Sequence, residues 1–462
     1  MDKTKEHYQK PTLIKHQMGL MDKFGRIQSI APMTHIDGLS VSDLVEKYGS
    51  PLFVFSERTM VHRCRELKDL FALRYPKFQL AWSYKTNYLD AICKVFDREG
   101  SWAEVVSEFE YGKAVRLGVP PSRIIFNGPY KTETALEKGL KDGSRIHIDH
   151  FDELSMAEKV ADRLEIKPEV GLRINFSIGS IPNWERFGFN LESGQAWSAI
   201  KRLVGGGKLK LAGLHCHIGT FVLDPGAYRE ATFKMTTLGN RLRQELDLPI
   251  KWLDLGGGFA SVNTLHSQYL PGDQVAPSFS QYVEAIAEGL ENMDTPTSEL
   301  PTVFLETGRA LIDEAGYLIT TVHANKRLPD GRKALIMDTG VHHLITSLWY
   351  RHDIIPAQEY FGTPEPTVIY GPLCMNIDII RPIVLYPPVR TGDRLVIKNV
   401  GAYNVTQWMQ FITLRPNVVM ISRNGQCDII RRRETLDMVV APEEVPPWIY
   451  PKNGKGFLIH FF

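Results

Sequence analysis

Lys85, His217, Glu306 and Arg309 are the residues whose types and settings point to chemistry, and each stands just beyond a short apolar run. Lys85 lies in Ser83-Tyr84-Lys85-Thr86-Asn87 and His217 in His215-Cys216-His217-Ile218-Gly219-Thr220. Two further clusters are Gly256-Gly257-Gly258 and Glu306-Thr307-Gly308-Arg309. A triple glycine lets backbone N–H groups approach a phosphate without side-chain obstruction. An arginine nearby adds charge and a fork of donors for the same oxygens. A lysine emerging from a strand end into a lined cavity can have a depressed pKa and form a Schiff base with an aldehyde. A phosphate, an aldehyde-binding lysine and an acid together describe pyridoxal phosphate. Singly, each feature has an ordinary explanation: a solvated lysine, a tight turn, a bonded core histidine, half of an ion pair. Their order along successive run ends selects the chemical reading.

The runs themselves indicate what must position these groups. Strand-like runs cover residues 78–84, 102–106, 123–126, 145–148, 170–174, 209–216, 251–255 and 302–305. Helical spacing marks 57–73, 88–96, 132–140, 152–164, 195–203, 228–246 and 279–293. Strand–helix alternation means a parallel sheet, and eight units predict a (β/α)8 barrel with its site at the C-terminal strand ends. The other ends carry Glu104-Val105-Val106-Ser107, Asn127-Gly128, Asp149-His150 and Arg173-Ile174-Asn175. From about Tyr317 the helical period fades, and strand-like runs follow at 333–337, 368–370, 383–386, 394–397, 418–422 and 427–431. The last two flank Asn424-Gly425, a hairpin signal. The fold class predicted is therefore α/β: a barrel at 58–316 and an antiparallel β domain at 317–462, with 1–57 contributing the strand at 51–55 to the latter.

With 462 residues, a barrel plus a second domain fits the length. A net charge of +1 gives no reason to expect nucleic acid or a membrane surface as partner. There is no signal-peptide core in the polar first 17 residues and no apolar run of bilayer length. Five scattered cysteines suit reduced thiols, and with them a cytoplasmic location, rather than a disulfide framework or a metal site.

In order and spacing, SYKTN (83–87), HCHIGT (215–220), LGGGF (255–259), ETGR (306–309), GPLCMNID (371–378), GAY (401–403) and RRRET (431–435) resemble the fold-type III pyridoxal-phosphate decarboxylases. That family includes the diaminopimelate, ornithine and arginine decarboxylases, and the diaminopimelate branch is the nearest in pattern. The resemblance spans about residues 51–437. It implies that Lys85 carries the cofactor, His217 stacks on its ring, and Glu306 pairs with the ring nitrogen. It assigns the phosphate to Thr220, the backbone of Gly256, Gly257 and Gly258, Gly308, Arg309 and Tyr403. It makes Cys374, offered by the second subunit of a homodimer, the donor that returns a proton to the α-carbon. A glutamate at the ring nitrogen favours a deep electron sink, whereas racemases of this barrel class place an arginine there; decarboxylation is therefore expected over racemisation, with a non-catalytic homologue as the remaining alternative.

Substrate recognition departs from the family pattern. Met375 stands where diaminopimelate enzymes carry a glutamate that reads the distal amino group. In 346–350 the tyrosine, Tyr350, is kept, but the arginine that reads the distal carboxylate is missing. Tyr350, Met375, Asn376 and Asp378 are the expected substrate contacts, with His342, His343, Arg351 and His352 as replacements for the lost charge. The expected reaction is loss of the α-carboxylate from a non-standard amino acid, of specialised or siderophore-type metabolism, free or tethered to a carrier protein. Ordinary meso-diaminopimelate is the alternative.

Overall fold

The computed structural model describes residues 30–449. Strand β1 (Leu52–Ser56) leads into the helix Glu57–Ala72, and the chain then winds through eight strands. These are β2 (Phe78–Ser83), β3 (Trp102–Val105), β4 (Ile124–Phe126), β5 (Arg145–Ile148), β6 (Glu169–Asn175), β7 (Lys210–His215), β8 (Trp252–Asp254) and β9 (Thr302–Leu305). Every neighbouring pair is parallel, and β9 pairs with β2, so the sheet closes on itself. The expected barrel is therefore present.

Alternation along the strands explains both its stability and its site. Outward residues such as Leu80, Val105, Phe126, Ile148, Leu172 and Leu253 are buried against the surrounding helices in the main core. Inward residues form two layers of opposite character. The lower one is an aromatic and aliphatic plug of Ala81, Ile125, Ala212, Trp252 and Phe304. Two residues further along the same strands stand Ser83, Asn127, Asp254 and Glu306, all polar and all buried. A strand repeats its direction every two residues, so this polar layer lies directly above the plug and faces the barrel mouth.

The second sheet runs through β14 (Ile379–Tyr386), β13 (Glu365–Tyr370), β11 (Lys333–Met337), β10 (Gly316–Arg327), β1, β16 (Asn417–Ile421) and β17 (Cys427–Arg431). Two further strands, β12 (Ile354–Pro356) and β15 (Arg394–Lys398), pair with each other, and β15 also pairs with β10. The sheet is mixed, not antiparallel as expected. β16 lies parallel to β1 and β13 parallel to β11. Parallel neighbours need long crossovers, and here these are residues 57–416, which include the entire barrel, and the segment 338–364. The Asn424-Gly425 hairpin is present between β16 and β17, with Gly425 at φ 82°.

The sheet and barrel are joined through Asp313, which lies just after the ETGR turn. Its buried carboxylate accepts from Ser261 Oγ at 2.6 Å, Asn263 Nδ2 at 3.0 Å and the Ala402 N–H at 3.0 Å. Ala402 precedes Tyr403, so this one acid ties the β domain to the barrel mouth. Burial pushes its pKa up to about 6 despite Arg309 and those three donors. A carboxyl with a raised pKa binds protons in the folded state that it has already released in the unfolded chain, so its contribution is present below the unfolded value and is lost as pH rises towards 6. Relative to Asp313→Asn, wild-type unfolding free energy should therefore fall by about 2 kcal/mol between about pH 4 and pH 6. Urea titrations of both proteins across that window measure it, and parallel pH profiles would contradict the assignment.

Candidate active site

A cavity of about 390 Å³ opens at the C-terminal ends of the barrel strands. Lys85, His217, Thr220 and Glu306 line it, together with Gly257, Gly258, Gly308, Arg309 and Tyr403. Lys85 sits on a single 3-10 turn, Tyr84–Thr86, directly after β2. The β domain holds that turn in place: the Tyr403 N–H donates to Thr86 O at 2.8 Å and Thr406 Oγ1 donates to Lys85 O at 3.0 Å. Tyr403 itself has φ 66°, a left-handed conformation unusual for a non-glycine residue, and its ring lies 4.7 Å from the Arg309 guanidinium carbon.

The amine is charged in this arrangement. Lys85 Nζ bonds both carboxylate oxygens of Glu104, at 2.9 and 2.8 Å. Burial pulls its pKa down, but Glu104 and then Glu306 outweigh burial and the net direction is upward. The expected depressed pKa is thus not what this arrangement gives, because Glu104, a strand-end residue to which the sequence assigned no role, supplies a carboxylate from the inward face of β3. An amine must be neutral to attack an aldehyde, and Glu104, already bonded to it, is placed to take the proton.

Across the cavity, burial opposes ionisation of Glu306, but His215 and Lys85 hold its pKa well below the usual carboxylate range. Its neighbour Asp254 moves the other way, pushed well up by burial and by the charge on Glu306. Of the pair, Glu306 is the ionised member. His217 is kept neutral by burial, helped by Arg173 and Lys85. Its Nδ1 accepts the Gly257 N–H at 3.0 Å, and the ring of Trp184 lies 5.3 Å away.

Arg309 is buried and donates to Thr220 Oγ1 at 3.0 Å and to the Tyr350 hydroxyl. Among the described residues no carboxylate forms an ion pair with it, so a buried cation faces the cavity without a counter-anion. A Cβ on Gly257 would come to 2.6 Å from Glu306 O, and one on Gly258 would overlap Gly219 O. Such a cradle with an unneutralised arginine fits a phosphate. The cradle is smaller than expected. The Gly256 N–H is taken by Asp254 Oδ1 at 2.9 Å and that of Gly257 by His217. Gly258 is left to present a backbone donor, because the polar layer of the barrel claims the other two.

Several expected contacts lie elsewhere. Met375 is half-buried and Asn376 exposed, and neither lines the cavity of its own protomer; nor does the exposed Cys374, as expected of a residue offered to a second subunit. Asp378 is buried and spends its carboxylate within its own loop, accepting from the N–H groups of Val341 and Leu373 at 2.8 Å each. It is a loop anchor rather than a substrate contact. Tyr350 is buried behind Arg309. His342, His343 and His352 are buried, and burial drives the pKa of His342 down to about 4, that of His343 to about 2 and that of His352 to about 3, so none replaces the missing charge. Arg351 donates to Gln268 O instead. Conversely, Asn127, His215, Arg173 and Arg186 line the cavity although none was assigned a role from sequence. For Asn127 and Arg173 the signal was available, since each continues the inward parity of its strand; a bulge between Leu211 and Gly213 breaks that parity before His215.

An ionised acid, a glycine turn with an unpaired arginine and a lysine line one barrel mouth, and this set fits pyridoxal phosphate. Residues 57–313 match the model of the pyridoxal-dependent decarboxylase pyridoxal-binding domain. The diaminopimelate decarboxylase of Methanocaldococcus jannaschii is 31% identical over 431 residues, covering 89% of this chain and 95% of that protein. That of Aquifex aeolicus is 28% identical over 420 residues, covering 88% and 94%. The crystal structure of the M. jannaschii enzyme matches with a TM-score of 0.83 at 30% identity, over 91% of this chain and 98% of that one. The chain belongs to the pyridoxal-dependent decarboxylase family, and pyridoxal phosphate is its cofactor. No helix among the described residues is long and apolar enough to cross a membrane.

If Lys85 is the carrier, borohydride reduction of the loaded protein should fix the cofactor to the peptide containing Lys85. Lys85→Ala should then release all cofactor on denaturation. Mass spectrometry of the digests reads this, and a label on any other lysine would show that the wrong residue was chosen.

Proposed function

We propose that this enzyme removes the α-carboxylate, as CO2, from an amino acid whose distal end does not carry the free ammonium of meso-diaminopimelate. Met375, which lies outside its own protomer's cavity and, next to Cys374, would reach that of a partner subunit, is uncharged where the family pattern places a glutamate, and this carries the reading. A site built to pair an ammonium discriminates strongly, and a charge left unpaired in a partly buried site is penalised. Arg186 adds to it. This arginine lines the cavity and has no ion-pair partner among the described residues, which suits a distal carboxylate or carbonyl group.

Pyridoxal phosphate supplies the electron sink for the pair left behind when CO2 departs. The chain's own groups do the rest. Lys85 binds the cofactor, Arg309 and Gly258 hold its phosphate, and neutral His217 packs against its ring. Glu306 holds a proton at the ring nitrogen, the arrangement that favours loss of CO2 over simple racemisation. Cys374 returns a proton to the α-carbon. Its exposure on one protomer, outside that protomer's cavity, suits delivery to a partner subunit in a homodimer. The M. jannaschii relative has been solved in co-complex with L-lysine, and nearly full-length similarity to diaminopimelate decarboxylases favours a second reading, meso-diaminopimelate itself.

CO2 release measured over a panel of amino acids decides between the two. The panel pairs meso-diaminopimelate with amino dicarboxylates and side-chain-acylated diamino acids. Turnover of an acylated or dicarboxylic member with little of meso-diaminopimelate is expected; rapid turnover of meso-diaminopimelate would remove the first reading. Subunit exchange tests the shared site. Lys85→Ala and Cys374→Ala homodimers should each be nearly inactive, and an equal mixture should recover up to roughly one quarter of wild-type activity, because half the dimers are hybrids with one intact site. No recovery after confirmed exchange would place Cys374 outside the partner's site.

A further inference from the structure

Beneath the cavity runs a chain of hydrogen bonds whose direction is set at its far end. Trp252 is buried in the barrel plug, and an indole N–H can only donate. It lies 2.9 Å from His147 Nε2, which must therefore be the acceptor and carry no proton. Burial, with His215 adding to it, keeps this imidazole neutral, so its one proton sits on Nδ1. Nδ1 lies 2.7 Å from Asn127 Oδ1 and donates to it. With its oxygen committed, Asn127 turns its NH2 to the acids, reaching Glu104 Oε1 at 3.3 Å and Glu306 Oε1 in a short bond. The amide orientation, ordinarily a matter of assignment, follows here from the tryptophan.

We propose that Trp252, His147 and Asn127 are positioning residues that present a permanent donor to Glu306 Oε1, keeping that carboxylate the acceptor a protonated ring nitrogen requires and leaving the acid pair's proton on Asp254. The need for such a device is local. Glu306 shares a buried layer with Asp254, Glu104 and His215, and faces Lys85 across the cavity. Two adjacent buried carboxyl groups share one proton, and without an asymmetric donor it can settle on either. His215 and Lys85 favour ionisation of Glu306 by proximity, but His215 Nε2 is 3.6 Å from Glu306 Oε2 and makes no close hydrogen bond, so Asn127 is the side chain bonded to Glu306 within ordinary hydrogen-bond distance.

Two glycines across one seam of the barrel make room for this chain. A Cβ on Gly171 would overlap the His147 ring, and one on Gly213 would overlap the Trp252 indole. The two glycines are register partners in β6 and β7. The chain also occupies the His147 lone pair, so the buried group of His147, His215 and Glu306 is wired for hydrogen bonding rather than open to a cation.

The test uses the full-length, cofactor-loaded protein and needs no substrate. Long-range ¹H–¹⁵N correlation on ¹⁵N-histidine-labelled protein, with His147 assigned by its loss in His147→Asn, should show Nδ1 protonated and Nε2 bare. Trp252→Phe, which keeps an aromatic ring and removes the donor, should populate the other tautomer. Asn127→Leu should weaken pyridoxal-phosphate binding about 10-fold. Asn127→Asp, which retains an oxygen towards His147 and loses the donor, should weaken it further. A merely structural role would lower the melting temperature without moving the tautomer or the cofactor Kd. Protonation of His147 on Nε2 in the wild type, or cofactor affinity within about twofold of wild type in both Asn127 variants, overturns the proposal. Should Trp252→Phe fail to fold, the wild-type tautomer and the Asn127 variants still decide it.

Discussion

Two carboxyl groups buried side by side cannot both be ionised, and the chemistry of this barrel depends on which of them gives way. Glu306 and Asp254 occupy the same inward layer, at the ends of adjacent strands. In a buried layer above the aromatic plug, a second negative charge is poorly solvated and strongly repelled by the first. The surroundings break the tie. Lys85 faces Glu306 across the cavity, and Asn127 donates to it, whereas Asp254 accepts one backbone N–H and lies beside its charged neighbour. The ionised group is therefore the one that lines the cavity.

The same layer explains why the phosphate end is built as it is. Asp254 and His217 take the Gly256 and Gly257 N–H groups to satisfy their own buried polar atoms. What remains for an anion is Gly258 and, above all, Arg309, held in the cavity wall by Thr220 and Tyr350. Tyr350 thus acts through Arg309 in this chain, which is why it is buried rather than exposed to an incoming substrate. The glycine triplet serves two purposes at once: one donor for a ligand, and close approach of the backbone to Gly219 and Glu306 that any side chain would block.

Much of this was legible in the sequence because a closed barrel converts strand order into spatial neighbourhood. Lys85, His217 and the Glu306–Arg309 turn are separated by dozens of residues, yet eight recurring strand–helix units place all of them at one rim. The chain after Tyr317 was less readable. The long strand β10 escaped notice because its second half is polar and exposed, and the parallel pairings of β1 with β16 and β11 with β13 depend on crossovers whose lengths carry no local signal. Asp378 shows the same limit at a single residue. An acid near a candidate cysteine suggests substrate binding, but only coordinates reveal that both its oxygens are already engaged by its own loop.

A barrel interior of this kind is a compromise between packing and reactivity. Filling the upper layer with aliphatic side chains would improve the core and remove every buried ionisable group, at the cost of the site. The chain instead confines polarity to one layer and surrounds it with apolar material on the other sides: the plug below and the outward-facing residues packed on the helices. Arg145 marks the lower border, its guanidinium carbon 4.1 Å from the Trp102 ring centroid and its pKa lowered by burial. The upper border is closed by the β domain, whose Gly401-Ala402-Tyr403 turn packs on the lysine turn and on Asp313. A domain that contributes one aromatic side chain and two hydrogen bonds to the lysine turn thereby sets the position of the Lys85 amine. That makes the mixed sheet part of the site rather than an appendage to it.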